Sequence, residues 1–228
     1  MSFYDFVVGR IEFAERLYRS EGAYGEAALV LSALLSGLAS RTWPGKGKDL
    51  RRFVEAWSTL SAPSLNASLI SVPLLLDALD DAGELARAEK VRAARPNVFA
   101  PGNEDMVLTG DRVDMAEGEL LALDPGLVSK ELRRFSYGRV FYEHVRSGYV
   151  HEYRTTESAR PCPQTGRPAP ISYVNTIKYP EARIRRPIHF DIVGVGDVVR
   201  SVAITLTADG PVEARPVPGT WWIDGQAQ

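Results

Sequence analysis

The chain has 228 residues, of which 45% are hydrophobic and 25% charged, a composition typical of a globular protein with one sizeable core. Its formal net charge of −2 and its pI near 6.0 provide no overall basic field, which argues against a DNA-packaging protein. Any binding of nucleic acid must therefore come from a local basic patch or from a transient encounter. The single cysteine, Cys162, is expected to be a free thiol, and the chain has no signal-peptide pattern, so we predict a cytoplasmic protein. The apolar stretch at 27–39 is too short to span a bilayer, so we predict no membrane segment.

The first part of the chain has the periodicity of two successive helices. Hydrophobic side chains between Phe3 and Tyr18 recur every three or four residues, and Gly22 is expected to end this helix. Residues 25–41 are apolar on nearly every side, which predicts a central core helix covered by neighbours all round.

Two further helical regions are predicted before residue 97. Asp49 can cap a helix that ends near Leu60. Ser71 can cap another, with a break at Gly83 and an end at Pro96.

Two loops resemble ligand-binding motifs without matching them. The segment 42–48, TWPGKGK, lacks the glycine and the Ser or Thr of a phosphate-binding loop, because Thr42 and Asp49 occupy those positions. Residues 97–115 are rich in acidic side chains, but their spacing does not fit the 12-residue calcium loop, so we expect a solvated surface loop or a small hairpin and no metal site.

A long helix is predicted over residues 129–153, and it contains two Arg–His pairs. Its hydrophobic and aromatic side chains alternate at intervals of four and three residues, and Arg139 and Arg146 lie on the same face. His144 and His151 each follow an arginine by five positions. At about 100° per residue, five positions place a histidine about 140° around the helix from its arginine. A pair would therefore converge at the helix end or across a two-fold axis, which favours a homodimer.

The segment RSGYVHEY, which begins at Arg146, resembles the Arg-x4–6-His signature of HEPN domains. The order of the elements is also similar, with long amphipathic helices followed by the motif on a late helix. The resemblance implies a metal-independent endoribonuclease with no cofactor, in which Arg146 and His151 are the catalytic pair and two motifs of a dimer face one cleft. It also implies a defence or toxin–antitoxin setting, with an antitoxin or another regulatory protein as partner. Ser147 stands where Asn or Asp is common.

The residue types fit this chemistry. A histidine can take the proton of a ribose 2′-hydroxyl, and a guanidinium can bind the phosphate oxygens as charge develops, so RNA would be left with a 2′,3′-cyclic phosphate. Glu143, Glu152 and Tyr149 are alternative partners that could orient the imidazole. Arg139 and His144 are supporting candidates. The structural alternative is that both pairs only make contacts within a helical bundle.

After residue 155 the composition changes. Residues 155–170 contain four prolines and predict a linker, while 171–176 and 188–192 predict the two strands of a hairpin. Basic side chains between and beside these strands predict an RNA-backbone contact, with a charged hairpin edge as the alternative: Lys178, Arg183, Arg185 and Arg186. Residues 194–207 are predicted to form a helix, and His189 is expected to be a packing residue. Trp221 and Trp222 are expected to dock the tail either onto the core or onto a partner.

The sequence as a whole predicts a mainly α fold, a HEPN-like helical bundle with a small C-terminal β-hairpin and helix. We expect a HEPN-like domain over residues 1–155 and a linker with a small α/β extension over 156–228, packed on the same domain. The predicted function is metal-independent RNA cleavage. The alternatives are a non-catalytic HEPN-like module that binds nucleotide, RNA or protein, and an unrelated helical protein.

Overall fold

The computed structural model describes residues 2–99, 107–161, 170–178, 183–208 and 210–224, and for 97, 99, 176–178, 183 and 184 only the backbone. Most of the described residues are helical, as the sequence predicts. The longer helices are α1 (Phe3–Glu21), α2 (Tyr24–Thr42), α3 (Asp49–Thr59), α4 (Val72–Asp81) and α5 (Leu85–Ala93). Shorter helices follow at α6 (Pro96–Phe99), α7 (Gly110–Val113), α8 (Glu117–Leu123), α9 (Ser129–Leu132), α10 (Tyr137–Val140) and α11 (Ser147–Glu152), and the last is the long α12 (Ile192–Thr207).

Helix α1 begins and ends at residues that the sequence indicates. Ser2 and Asp5 form a reciprocal capping box at its start. Gly22, with φ of 65°, caps its end in the left-handed conformation that glycine adopts without steric cost. Val7 and Ile11 are fully buried on the face that meets the rest of the core.

The core is formed by α1, α2, α3 and α12. Helix α2 packs against the other three, and α12 packs against both α1 and α2. Asp191 caps α12 by accepting a hydrogen bond from the Gly194 amide at 3.1 Å. Arg200 of α12 reaches Glu15 of α1 at 3.2 Å.

The described residues also form six short strands: β1 (Leu108–Thr109), β2 (Ala159–Pro161), β3 (Ile171–Tyr173), β4 (Thr176–Lys178), β5 (Arg183–Arg185) and β6 (Ile188–Phe190). Of these strands, β1, β2, β3 and β6 contribute buried side chains to the same core. Four of them form a sheet in the order β1-β3-β6-β2, in which β3 and β6 are antiparallel as predicted. Strand β2 pairs in parallel with β6, and β4 and β5 form a separate two-stranded sheet. The two strands of the predicted hairpin, β3 and β6, therefore do pair, and the chain between them forms the additional strand pair β4 and β5.

Smaller predictions about helix ends differ from the structure. Lys48 is the N-cap of α3, and Asp49 is its first residue, with no side-chain cap. Helix α5 ends at Ala93, before Pro96, which instead starts the short α6. A proline fits this position because the first turn of a helix needs no donor from it.

The tail is anchored by its tryptophans to the core of the same chain, which is one of the two alternatives predicted from the sequence. The buried Trp221 packs edge-on against Trp43 at the end of α2, with ring centroids 5.7 Å apart. The guanidinium of Arg133 lies 4.6 Å from the centre of the Trp222 ring and donates to the Trp222 carbonyl oxygen. The Trp222 amide donates to Glu55 at 2.6 Å.

Candidate functional site

The segment that carries both Arg–His pairs is not one helix over 129–153, and that prediction is wrong. The chain passes from α9 through a 3-10 turn to Ser136, whose backbone is extended with φ of −67° and ψ of 147°. Ser136 forms an isolated antiparallel bridge with Ile70. This pairing with a distant segment breaks the helix, because an extended residue cannot keep the α-helical hydrogen bonds.

Beyond α10, residues Phe141–Arg146 form a π-helical turn that runs into α11. The Ser147 amide bonds to the Tyr142 carbonyl five residues back, and the Ser147 hydroxyl donates to the same oxygen at 3.0 Å. Single π-helical turns within helices occur frequently at functional sites. The wider turn alters the angle between Arg139 and His144, whereas Arg146 to His151 remains close to the α-helical 140°.

The continuous helical run over residues 137–152, called the motif helix below, is fixed to the core by aromatic packing. Phe141 is fully buried, with its ring 5.2 Å from that of Trp57 and 5.1 Å from that of Phe190. A Cβ at Gly138 would lie 2.7 Å from the Trp57 side chain, so only glycine permits this approach of α10 to α3. The backbone that carries the arginines is therefore rigidly held on one side.

The first Arg–His pair makes contacts within the fold. The guanidinium of Arg139 is paired with Glu143, one turn on, at 2.9 Å. Nδ1 of His144 lies 2.7 Å from the Thr156 hydroxyl. Burial lowers the pKa of His144 most, Glu143 acts in the opposite direction, and Arg139 lowers the pKa further.

The second pair differs from the first in what surrounds it. Arg146 is half-buried, with its guanidinium 4.5 Å from the centre of the Tyr142 ring. His151 is exposed at the end of α11. Among the residues that the structure describes, neither side chain has an ion pair with a carboxylate, and the two do not contact each other.

Each side chain that could orient the His151 imidazole is engaged elsewhere. Glu143 pairs with Arg139, and Glu152 with Arg154 at 2.9 Å. Tyr149 packs onto α2, where a Cβ at Gly25 would lie 2.4 Å from its ring.

A turn after α11 folds back on the motif helix, and the sequence reasoning missed it. The Thr156 amide donates to the His144 carbonyl at 3.2 Å, in addition to the contact between the two side chains. A Cβ at Gly148 would lie 2.3 Å from the carbonyl oxygen of Arg154, so the buried glycine makes room for the returning backbone. Tyr153 caps α11 in the left-handed conformation, with φ of 57°. Gly148, a glycine inside a predicted helix, was the available signal for such a close approach.

The proposed basic patch is only partly described. The side chains of Lys178 and Arg183 lie outside the described residues. Arg185 is paired with Asp81 of α4 at 3.0 Å, and the Arg186 Nε donates to Asn175 at 2.7 Å. The two described arginines therefore have structural contacts in addition to any role toward RNA.

A buried polar cluster centred on Asp114 is joined through Tyr137 to the start of α10. Tyr137, at the start of α10, donates to Asp114 Oδ2 at 2.5 Å, and Tyr173 of β3 donates to the same oxygen at 2.6 Å. The Val72 amide at the start of α4 donates to Oδ1 at 2.9 Å. Burial raises the pKa of Asp114 to about 7, against the lowering effect of these three donors.

Asp114 thus belongs to the core, and the solvated acidic loop expected at 97–115 is wrong at this position. Of the other acidic residues in this segment, Asp111 is exposed on α7, and Glu104 and Asp105 lie outside the described residues. Within the described ranges, no three His, Cys, Asp or Glu side chains are grouped closely enough to hold a metal ion.

His189 has the packing position expected for it. It is buried on β6, with Nδ1 2.8 Å from the Pro161 carbonyl oxygen. Cys162, which the sequence predicts to be a free thiol, lies outside the described residues.

None of the described helices is both long and apolar enough to cross a membrane. Comparisons of the chain with protein-family models, with curated proteins and with solved structures found no significant match.

Proposed function

We propose that the protein is a metal-independent endoribonuclease of HEPN type, with Arg146 and His151 as its catalytic pair. The observation that carries the proposal is the contrast between the two Arg–His pairs. Arg139 and His144 are committed to Glu143 and Thr156. Arg146, half-buried in the π-helical turn, and His151, exposed at the end of α11, keep their guanidinium and imidazole uncommitted to any described carboxylate.

The reaction requires a base, an acid and an anion-binding group. The His151 imidazole takes the proton from a ribose 2′-hydroxyl, and the 2′-oxygen forms a bond to phosphorus. The bond from phosphorus to the 5′-oxygen breaks, and that oxygen leaves with the bonding electrons and accepts a proton. The Arg146 guanidinium donates to the non-bridging phosphate oxygens as their negative charge increases. The products are a 2′,3′-cyclic phosphate and a 5′-hydroxyl.

The positions of the two side chains support a dimeric active unit. A separation of about 140° around α11 directs Arg146 and His151 to different sides of one helix. A second copy related by a two-fold axis would bring its own pair to the same cleft, and its His151 would supply the proton to the leaving oxygen. Binding of an antitoxin or another regulatory protein over this surface remains a prediction.

The contact of Arg146 with the Tyr142 ring fits a phosphate-binding role. A guanidinium that is held over an aromatic ring loses less rotational freedom when a phosphate binds to its N–H donors. Replacement by lysine keeps the charge but loses the planar fork. We therefore expect Arg146→Lys to recover only part of the activity.

The test is cleavage of end-labelled single-stranded RNA in EDTA. Substitution His151→Ala should lower the cleavage rate about 100- to 10,000-fold, and Arg146→Ala about 100- to 1,000-fold. Arg16→Ala, an exposed arginine on α1, is the matched control and should cleave as the wild type does. Cleaved fragments should carry a cyclic phosphate. Equal cleavage by all four proteins would contradict the proposal, as would a wild type that cleaves no RNA.

A second candidate function is binding without catalysis. It is favoured by the engagement of Glu143, Glu152 and Tyr149 elsewhere, since none of them orients the His151 imidazole. RNA binding by the wild type at low ionic strength, combined with no cleavage in the same buffer, would identify this alternative.

A further inference from the structure

Tyr153 has a combination of features that its role in the fold does not explain. Its side chain is 74% exposed, the highest value among the exposed large hydrophobic residues of the described chain. No stacking or cation–π contact of its ring occurs with another described side chain. Its position in the chain, however, is tightly defined by the residues on either side of it.

The backbone of Tyr153 is in a conformation that disfavours a tyrosine. Its φ of 57° lies in the left-handed region, and only one other described residue besides glycine, Asn66, has a positive φ. Glycine is the usual residue at such a helix end because a Cβ is strained there. Non-glycine residues in this region cluster at functional sites. The ring at the end of α11 is therefore placed there at a cost in backbone conformational energy.

The fold-back turn holds this ring in place. Residues 153–156 are held at one end by the approach of Arg154 to Gly148, and at the other by Thr156 on His144. A ring on such a turn is presented to solvent with little loss of freedom when it binds a partner.

The neighbours of Tyr153 indicate which partner fits the ring. His151 is two residues away, so the two Cα atoms are at most about 7.6 Å apart. Arg154 follows directly and is ion-paired with Glu152 at 2.9 Å, and Arg146 lies seven residues earlier in the chain. An exposed aromatic ring close in the chain to a histidine and two arginines fits the way in which proteins bind single-stranded nucleic acid, since a base can stack on the ring while the phosphate backbone meets the cations.

We propose that Tyr153 is a base-stacking residue that holds an unpaired nucleobase of single-stranded RNA beside the phosphate bound at Arg146 and His151. The proposal rests on the function proposed above and assigns to that site the residue that holds a base of the RNA. A base can reach the ring only when it is unstacked from its neighbours, so the site selects single-stranded RNA over duplex. The ring acts in binding and takes no part in proton transfer.

The experiment uses the full chain and a 12-nucleotide single strand with 2′-O-methyl ribose, which binds but cannot be cleaved because it lacks the nucleophile. Tyr153→Gly removes the ring and also relieves the left-handed strain, so the variant should be at least as stable as the wild type. Its Kd should rise about 5- to 100-fold. Tyr153→Phe should bind as the wild type does. Leu85→Ala, which removes an exposed apolar side chain on α5, is the control and should also leave Kd unchanged.

A series of the same strand with one abasic position gives a sharper readout. In the wild type, loss of the base at one position should weaken binding more than at the others. In Tyr153→Gly that position should no longer differ. A merely structural role of the ring would leave the abasic profile unchanged, and that result would overturn the proposal.

Other outcomes separate this proposal from the function on which it rests. Cleavage by the wild type with unchanged Kd and KM in Tyr153→Gly would overturn the stacking role alone. Binding that needs Tyr153, without cleavage by the wild type, would overturn catalysis alone. A wild type that neither binds nor cleaves RNA would overturn both. If Tyr153→Gly converts a dimer to a monomer, the ring is an interface residue and the stacking role is wrong.

Discussion

Nδ1 of His144 and the hydroxyl of Thr156 lie 2.7 Å apart, and this contact ties the chain that leaves the motif helix back onto it. The first histidine of the segment, His144, thereby acquires a structural role. Because the Thr156 amide also bonds to the His144 carbonyl, the two residues are joined through both backbone and side chain.

We expect Thr156→Val to weaken this attachment. The substitution keeps the shape of the side chain and removes the hydroxyl, so the partly buried His144 loses its partner, and the free energy of unfolding should fall by about 0.5–1 kcal/mol. Urea unfolding at pH 7.5 measures this change. Thr156→Ser keeps the hydroxyl and should stay close to the wild type. A valine variant as stable as the serine variant would show that the hydroxyl contributes nothing.

His144 should also make the stability depend on pH. Because burial holds its pKa below the ordinary value of 6.5, the unfolded chain binds a proton more readily than the folded chain. The stabilisation by neutral His144 is present above about pH 6.5 and is lost as the pH falls below it. The free energy of unfolding of the wild type minus that of His144→Gln should therefore decrease between pH 7.5 and pH 5. A difference that stays constant across this range would contradict the prediction.

Asp114 should act in the opposite direction. Its pKa is raised from 3.8 to about 7 in the fold, so between these pH values the folded chain keeps a proton that the unfolded chain releases. The contribution of Asp114 to stability should fall by about 4 kcal/mol as the pH rises from about 4 to 7. Asp114→Asn does not titrate, and its unfolding free energy should depend less on pH over this window. Parallel curves for the two proteins in guanidinium titrations would exclude a raised pKa for Asp114.

Gly148→Ala tests the close approach of the returning chain. The added Cβ would lie 2.3 Å from the Arg154 carbonyl oxygen, which is backbone and cannot rotate away, so the turn must shift. We expect a loss of about 1–3 kcal/mol in unfolding free energy and a loss of RNA cleavage larger than that of the control. Gly118→Ala, on the exposed face of α8 with no atom within 4 Å of the added Cβ, should instead stabilise the protein by about 0.5–1 kcal/mol. Equal stability of the two variants would show that the turn yields without cost.

The parts of the fold that the sequence predicts well are those set by local signals. The periodicity of α1, the apolar composition of α2 and the cap at Ser71 depend on neighbouring residues, and the structure has all three. The predicted helix over 129–153 is wrong because its break depends on Ile70, which is distant in sequence. A regular spacing of aromatic residues cannot reveal that Ile70, in a remote segment, will form a bridge with Ser136.

The candidate site divides in the same way. The motif at Arg146 and His151 is a local pattern, and its position on a helix could be predicted. The contacts that distinguish it from Arg139 and His144 require Thr156 to return to the helix, and the sequence reasoning assigned that region to a linker. The burial of Asp114 likewise depends on Tyr173, 59 residues later.

The position of α12 has a consequence for how the chain folds as it is synthesised. Glu15 and Arg200, which pair across α1 and α12, are separated by 185 residues, a distance that a ribosome covers in about 10–40 s at 5–20 residues per second. During this interval α1 and α2 lack the helix that covers them, and their apolar faces are open to chaperones. The apolar surface of α1 and α2 that α12 covers therefore stays exposed until α12 itself has been synthesised.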